Sequence, residues 1–138
     1  MTIIARVREF MTTCPETIEV DARVSDARTR MAELKIRHLP VVRAGRLVGI
    51  VTDRDVNLTE SLLVDEPPRA KPPTVEDAMT EVVFTCGPDA HLHAVAAAMA
   101  SDKHGSAVVV DPEHPQRILG VFTTTDALLA LSRFAPQE

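Results

Sequence analysis

The sequence contains no tryptophan and no tyrosine, and four phenylalanines are all it has of Phe, Trp and Tyr in 138 residues. A core must therefore be built from Val, Leu, Ile, Met and Ala, which suits aliphatic strands packed under helices. Cysteine is equally scarce. Cys14 and Cys86 make neither a disulfide framework nor a C-x-x-C pair. Basic charge is in deficit, with 15 Lys and Arg against 20 Asp and Glu for a net charge of −5. That excludes a nucleic-acid backbone as the main partner, which needs a basic excess. It leaves room for a small phosphorylated ligand in a locally basic pocket. No apolar run approaches the ~18 residues of a membrane span. Met1–Phe10 carries Arg6, Arg8 and Glu9 where a signal peptide would need an apolar stretch. No membrane partner is expected, and cytoplasmic residence is the default.

Motifs of catalysis are missing as well. There is no G-x-x-x-x-G-K-[ST] phosphate loop, no H-E-x-x-H, and no Ser-His-Asp order with a recognisable context. Five histidines raise the question of a metal. His91 and His93 are two apart, a spacing that on a helix sends them to different sides. His104 and His114 have no Cys or carboxylate at a ligand spacing. Cys14, before Pro15, and Cys86, beside Gly87-Pro88, have no histidine in a motif-like relation to them. The chain is expected to be neither a metalloprotein nor an enzyme.

What the sequence does have is a repeat. A shift of 68 positions lays Val7 on Val75, Met11 on Met79, Thr12 on Thr80, Thr17 on Thr85, Met31 on Met99 and Val41-Val42 on Val109-Val110. After a loop lengthened by three residues the shift becomes 71, and Arg46, Gly49, Thr52 and Asp55 fall on Arg117, Gly120, Thr123 and Asp126. A register held through both halves identifies a duplicated unit. The boundaries read as 1–64 for the first repeat, 65–73 for a connector with prolines at 67, 68, 72 and 73, and 74–138 for the second.

Each repeat has the same local pattern. In the first, Thr17–Val20 is a β-branched run with Asp21 and Ser25 beyond it as candidate caps. Val24, Ala27, Met31 and Leu34 then make the stripe of an amphipathic helix. His38–Val42 and Leu47–Val51 are strands joined by a tight turn at Ala44-Gly45-Arg46, and a helix starts at Asp53. The second repeat reads Val82–Thr85, a helix through Leu92, Val95, Ala96 and Met99, Ala107–Val110, Ile118–Phe122, and a helix from Asp126 to Phe134. The fold class is thus α/β, two tandem β-α-β-β-α repeats. A unit of about 50 residues buries its apolar face poorly on its own. The repeats are therefore expected to pack sheet to sheet with pseudo-twofold symmetry, leaving clefts for a ligand.

Gly49-Ile50-Val51-Thr52-Asp53-Arg54-Asp55 and Gly120-Val121-Phe122-Thr123-Thr124-Thr125-Asp126 are the candidate sites. Each lies where a strand ends and a helix begins. Glycine admits a close approach by ligand or backbone. Thr52 or Thr123 supplies a hydroxyl, and the helix start supplies free N–H groups suited to an anion. Asp55 or Asp126 can accept two hydrogen bonds from a ribose diol. The same Thr-x-x-Asp pattern also describes an ordinary helix cap. Its recurrence in register favours the ligand.

From Val7 to Phe134 the chain resembles a tandem pair of CBS domains, a Bateman module. The resemblance rests on Phe10-Met11-Thr12, Arg37-His38-Leu39-Pro40-Val41-Val42, Val75-Glu76-Asp77-Ala78-Met79-Thr80 and the two Gly-to-Asp segments. It implies a stand-alone, mainly prokaryotic regulatory module that binds AMP, ADP or ATP, with S-adenosylmethionine or NAD as alternatives. It also implies roles. Asp55 and Asp126 would hold ribose, and Thr52 and Thr123 would face ribose and phosphate. Arg54 and Thr125 would lie near phosphates, and Ile50 and Val121 would flank adenine. Arg37 and His38 match positions that often supply basic phosphate contacts, but the second repeat has Gly105 and Ser106 there, so the two sites are not expected to be equivalent. A homodimer paired through helices and a regulated protein partner are further implications. The other reading is an interaction scaffold that uses no nucleotide.

Overall fold

The computed structural model describes residues 5–13, 15–63 and 71–134. They form a mixed α/β structure that divides into two compact units, Glu16–Val83 and Met1–Pro15 with Phe84–Glu138. The units are offset from the sequence repeats, because the segment preceding each repeat's first strand packs in the unit of the other repeat.

In the Glu16–Val83 unit, β2 (Ile18–Glu19) leads to α1 (Val24–Leu34), β3 (His38–Arg43), β4 (Arg46–Thr52) and α2 (Asp53–Leu63). The sheet order is β2-β3-β4, with β2 parallel and β4 antiparallel to β3. The β3–β4 hairpin closes on Ala44 and Gly45, with φ of 51° and 78°. Two positive φ values match the twist of the flanking strands, as in a type I′ turn. The short helix α3 (Val75–Ala78) follows the connector. Its Val75 is fully buried among Ile18, Val24, Ala27, Leu39, Val41, Val51 and Val56.

The other unit repeats the plan. A 3-10 turn at Val7–Glu9 precedes β1 (Thr12–Thr13), and then come β5 (Thr85–Cys86), α4 (Leu92–Asp102), β6 (Ser106–Val110), β7 (Ile118–Thr123) and α5 (Thr124–Phe134). The sheet order is β1-β7-β6-β5. Val7, the counterpart of Val75, is buried with Val95, Met99, Ala107, Val109 and Phe122. The duplication extends to irregular features. Both hairpins carry a register shift, between Val41 and Val42 and between Val109 and Val110. Both first helices end on a left-handed lysine, Lys35 and Lys103, at φ of 55° and 59°.

Sequence expectations differ in places from what is found. The second repeat's first strand is Thr85–Cys86 rather than Val82–Thr85, because parallel pairing with Val108 and Val109 fixes its ends. Asp21 and Ser25 do not cap α1. The cap residue is Arg23, whose N–H donates to Asp26 Oδ2 at 3.2 Å. Of the 65–73 connector, residues 71–73 are described, and the Pro73 carbonyl accepts from Val24 N at 3.1 Å. Residues 65–70 and Cys14 lie outside the described residues.

Candidate functional site

Strand β4 passes into helix α2 at Thr52, and the junction is closed by its own side chains. The Thr52 N–H donates to Asp55 Oδ2 at 2.9 Å, and the Asp55 N–H donates to Thr52 Oγ1 at 3.1 Å. This reciprocal capping box satisfies donors that a helix start leaves open. At the β7–α5 junction the Thr123 N–H donates to Asp126 Oδ2 at 2.9 Å and the Asp126 N–H to Thr123 Oγ1 at 3.3 Å. The Thr123 hydroxyl adds a bond to the same oxygen at 3.1 Å. In both junctions Oδ1 of the aspartate receives no hydrogen bond among the described residues. Each carboxylate thus uses one oxygen for the fold and keeps the other.

The neighbouring strand brings the remaining first-repeat candidates to the same place. His38 on β3 sits opposite Thr52, and the Arg37 carbonyl accepts from Asp53 N at 3.0 Å. Arg37 and Arg54 are exposed, and His38 is half-buried. Burial lowers the His38 imidazole below its ordinary value. Asp53 opposes this, Arg37 adds to it, and Asp55 opposes it. Asp53, which the sequence did not single out, is therefore an electrostatic neighbour of the group. Its N–H bond to Arg37, the residue just before β3, could have been read only from the hairpin register.

Ile50 is half-buried and pairs with a segment distant in sequence. Its N–H donates to the Thr80 carbonyl at 2.9 Å, and Thr80 N–H returns a bond to Ile50 at 2.8 Å. Thr12 pairs with Val121 in the same way, and Val121 is buried. These crossings explain the glycines. A β-carbon on Gly49 would lie 2.7 Å from Met79 Sδ and 2.9 Å from the Thr80 carbonyl. One on Gly120 would lie 2.7 Å from the Thr12 carbonyl and 2.8 Å from Met11 Sδ. Of the two approaches considered for these glycines, that of neighbouring backbone is present. The repeated Met-Thr pair was the signal for it.

The structure thus groups Arg37, His38, Ile50, Thr52, Arg54 and Asp55 in one unit, and Val121, Thr123, Thr125 and Asp126 in the other. At the second junction the Thr124 N–H donates to the Gly105 carbonyl at 3.1 Å, and the Thr124 hydroxyl donates to it at 3.2 Å. Ser106 is buried opposite Thr123. His104 lies flat on Phe84, with ring centroids 4.8 Å apart and planes 5° from parallel.

Other chemistry-bearing residues stand apart from these junctions. Burial pushes the Cys86 thiol up to about 11, which keeps it protonated and unreactive at neutral pH. The rings of His91 and His93 are 5.6 Å apart rather than on opposite sides, because His91 is the extended N-cap of α4 and not a helical residue. No group of three or more His, Cys, Asp or Glu that could hold a metal occurs among the described residues. Among them, too, no helix is long and apolar enough to cross a membrane.

The sequence pattern of the CBS domain matches residues 7–58 and 75–133. Over 121 residues the chain is 29% identical to a homoserine O-acetyltransferase of Methanosphaera stadtmanae, covering 87% of this chain and 23% of that protein. The chain spans less than a quarter of the length of the curated relatives it matches. Among solved structures it is similar to an acetoin utilization protein (AcuB) of Vibrio cholerae, at 27% identity and a TM-score of 0.82, covering 96% of this chain and 95% of that one. It is also similar to the CBS domain pair of protein MJ0100, solved with 5′-methylthioadenosine and S-adenosyl-L-methionine, at 26% identity and a TM-score of 0.82 over 96% and 100% of the two chains. Two matched segments, two units of one plan and two Thr-x-x-Asp junctions lead to one conclusion: the chain belongs to the CBS domain family.

Proposed function

We propose that this chain is a regulatory, non-catalytic module that binds an adenosine-containing nucleotide, AMP, ADP or ATP, at its two strand-to-helix junctions. The observation that carries the reading is the pair of aspartates, Asp55 and Asp126, each with one oxygen committed to its cap and the other without a hydrogen bond among the described residues. A free carboxylate oxygen beside a threonine and a helix start suits a ribose hydroxyl, with the N–H groups of the helix start facing an anion. Arg37 and Arg54 supply the positive charge a phosphate requires, and the neutral His38 imidazole offers a ring N–H. The two ligands solved with the MJ0100 pair both contain adenosine, which supports the same ligand class. S-adenosylmethionine and NAD share that part and stay within the proposal.

Repeats 1–64 and 74–138, joined by residues 65–73, act as a cytoplasmic sensor that works as a homodimer and changes the activity of a protein partner. Binding achieves this only through different affinities for two arrangements of the chain. The completeness of the Thr–Asp caps favours a second reading, a scaffold that needs no nucleotide. Calorimetric titration with AMP, ADP, ATP, NAD and S-adenosylmethionine separates the two. The sensor predicts micromolar binding of at least one ligand, weakened in Asp55→Ala or Asp126→Ala. Absence of heat with all five on folded, ligand-stripped protein selects the scaffold.

A further inference from the structure

The helix layers of the two units have the same frame but are closed differently. Helix α1 (Val24–Leu34) is the counterpart of α4 (Leu92–Asp102), and α2 (Asp53–Leu63) of α5 (Thr124–Phe134). In the Glu16–Val83 unit Arg28 covers the seam between α1 and α2. Its Nε and Nη2 donate to the two Glu60 oxygens at 3.1 and 2.8 Å, and Nη2 also donates to Asn57 Oδ1 at 2.8 Å. At the shifts of 68 and 71 the counterparts of Arg28, Asn57 and Glu60 are Ala96, Leu128 and Leu131. The whole polar triad of one seam is apolar in the other.

The exchange runs along the helices. The charged residues of α1, Asp26, Arg28, Arg30 and Glu33, become Ala94, Ala96, Ala98 and Ser101 in α4. Leu128 and Leu131 are three apart on α5, so they share a face, and both are exposed. No side-chain hydrogen bond or ion pair joins α4 to α5 among the described residues. What charge these helices carry lies at their ends, Asp102 in the last residue of α4, and Asp126 and Arg133 in the first and last turns of α5.

The centre of a protein interface is depleted in charge, so an apolar seam is best covered by a surface that also lacks it. The α1–α2 face of another copy does not qualify. Its Arg28 and Glu60 side chains are 48% and 39% exposed, and laying leucines over them would take a paired charge out of water. The α4–α5 face does qualify, because a twofold axis sets a patch against the same patch of a second copy.

We infer that two copies of the chain pair like on like, the α4–α5 seam of one seated on the α4–α5 seam of the other with Leu128 and Leu131 at its centre. The Arg28–Asn57–Glu60 triad bars the α1–α2 seam from taking that place. The inference rests on the homodimer proposed above and adds which face makes it. One helix, α5, then carries the Asp126 junction in its first turn and the interface beyond it.

The test is sedimentation velocity of the full chain over a range of concentrations. Ala96→Arg, Leu128→Asn and Leu131→Glu together rebuild the triad on the second seam. They are expected to raise the dimer dissociation constant at least about a hundredfold, with the circular dichroism spectrum unchanged. Leu131→Glu and Leu131→Arg, single changes at an exposed position, are each expected to sediment as one chain. An equal mixture of the two should regain the dimer mass, because opposite charges then meet across the twofold pairing. Wild-type dimerisation in the folded triple variant or in either single variant, or a mixture that stays monomeric, overturns the like-on-like interface and leaves the homodimer standing. A wild type that is monomeric at micromolar concentration ends both.

Discussion

Thr52 and Asp55 hold each other twice across the end of β4 and the start of α2, backbone N–H to carboxylate at 2.9 Å and backbone N–H to hydroxyl at 3.1 Å. The aspartate therefore serves the fold as well as any ligand, and the two roles separate on substitution. Asp55→Ala is expected to cost about 1 kcal/mol of stability through the lost cap. Asp55→Asn, which can still accept from the Thr52 N–H, should lose much less. Urea unfolding with a constant m-value measures both. Ligand affinity should fall in Asn as well as in Ala, because the charged oxygen is gone from both. Equal stability loss in the two variants would show that the cap geometry is not what Asp55 contributes.

His38 gives the fold a pH dependence of known sign. Burial favours its neutral form, so its folded value lies below the ordinary 6.5. The unfolded chain then binds more protons than the folded one near that pH, and stability rises with pH there. This contribution is complete above pH 6.5 and is lost as pH falls through 6.5 towards the lower folded value. The urea midpoint of wild type should drop between pH 7.5 and 5 by more than that of His38→Gln. A parallel decline in both would assign the loss to other groups.

Gly49 and Gly120 are required by backbone, not by a ligand. In Gly49→Ala the methyl meets the Thr80 carbonyl at 2.9 Å, and in Gly120→Ala it meets the Thr12 carbonyl at 2.7 Å. Overpacking of this kind costs typically 1–3 kcal/mol. Met79→Ala should not rescue Gly49→Ala, because the sulfur is removed but the carbonyl remains. A full rescue, read by thermal or urea unfolding, would mean that the flexible side chain alone makes the glycine necessary.

These same glycines mark how much could be read before any coordinates. The β3–β4 and β6–β7 hairpins, the helices beginning at Val24, Leu92 and Asp53, and the pairing of Thr52 with Asp55 follow from local pattern and the repeat register. The closing helix of the second repeat starts at Thr124, two residues before the expected Asp126. Strand β1 and helix α3 did not emerge. Thr12–Thr13 and Val75–Ala78 are too short for a periodicity, and each is held by a partner far away in sequence, Val121 for Thr12 and the core around Val24 for Val75. The recurring Met11-Thr12 and Met79-Thr80 pairs carried that information, but they read as core residues rather than as strands crossing a glycine. The charge difference between the junctions was legible in Gly105 and Ser106. The stacking that engages His104 on Phe84 was not, because it depends on tertiary placement.

Leucines on α2 and α5 are prominent among the exposed large apolar residues, beside Leu34 and Val82. Leu58 and Leu62 are 58% and 67% exposed, and Leu128 and Leu131 are 61% and 66% exposed. Leucines this open, repeated on equivalent helices, suit burial against a second copy of the chain. Sedimentation velocity should give twice the chain mass for wild type and the single-chain mass for Leu62→Glu combined with Leu128→Glu. A monomeric wild type at micromolar concentration contradicts the homodimer.

The most direct measurement is a ¹⁵N-resolved NMR titration of the full chain with AMP, following backbone amides. The account predicts that the amides of Thr52, Arg54 and Asp55, together with His38, shift saturably, and that those of Thr123 and Asp126 move less at the same AMP concentration. Asp55→Asn should reduce the response at the first junction. Saturable shifts confined to residues away from both junctions, or no shifts at millimolar AMP and S-adenosylmethionine, would contradict it.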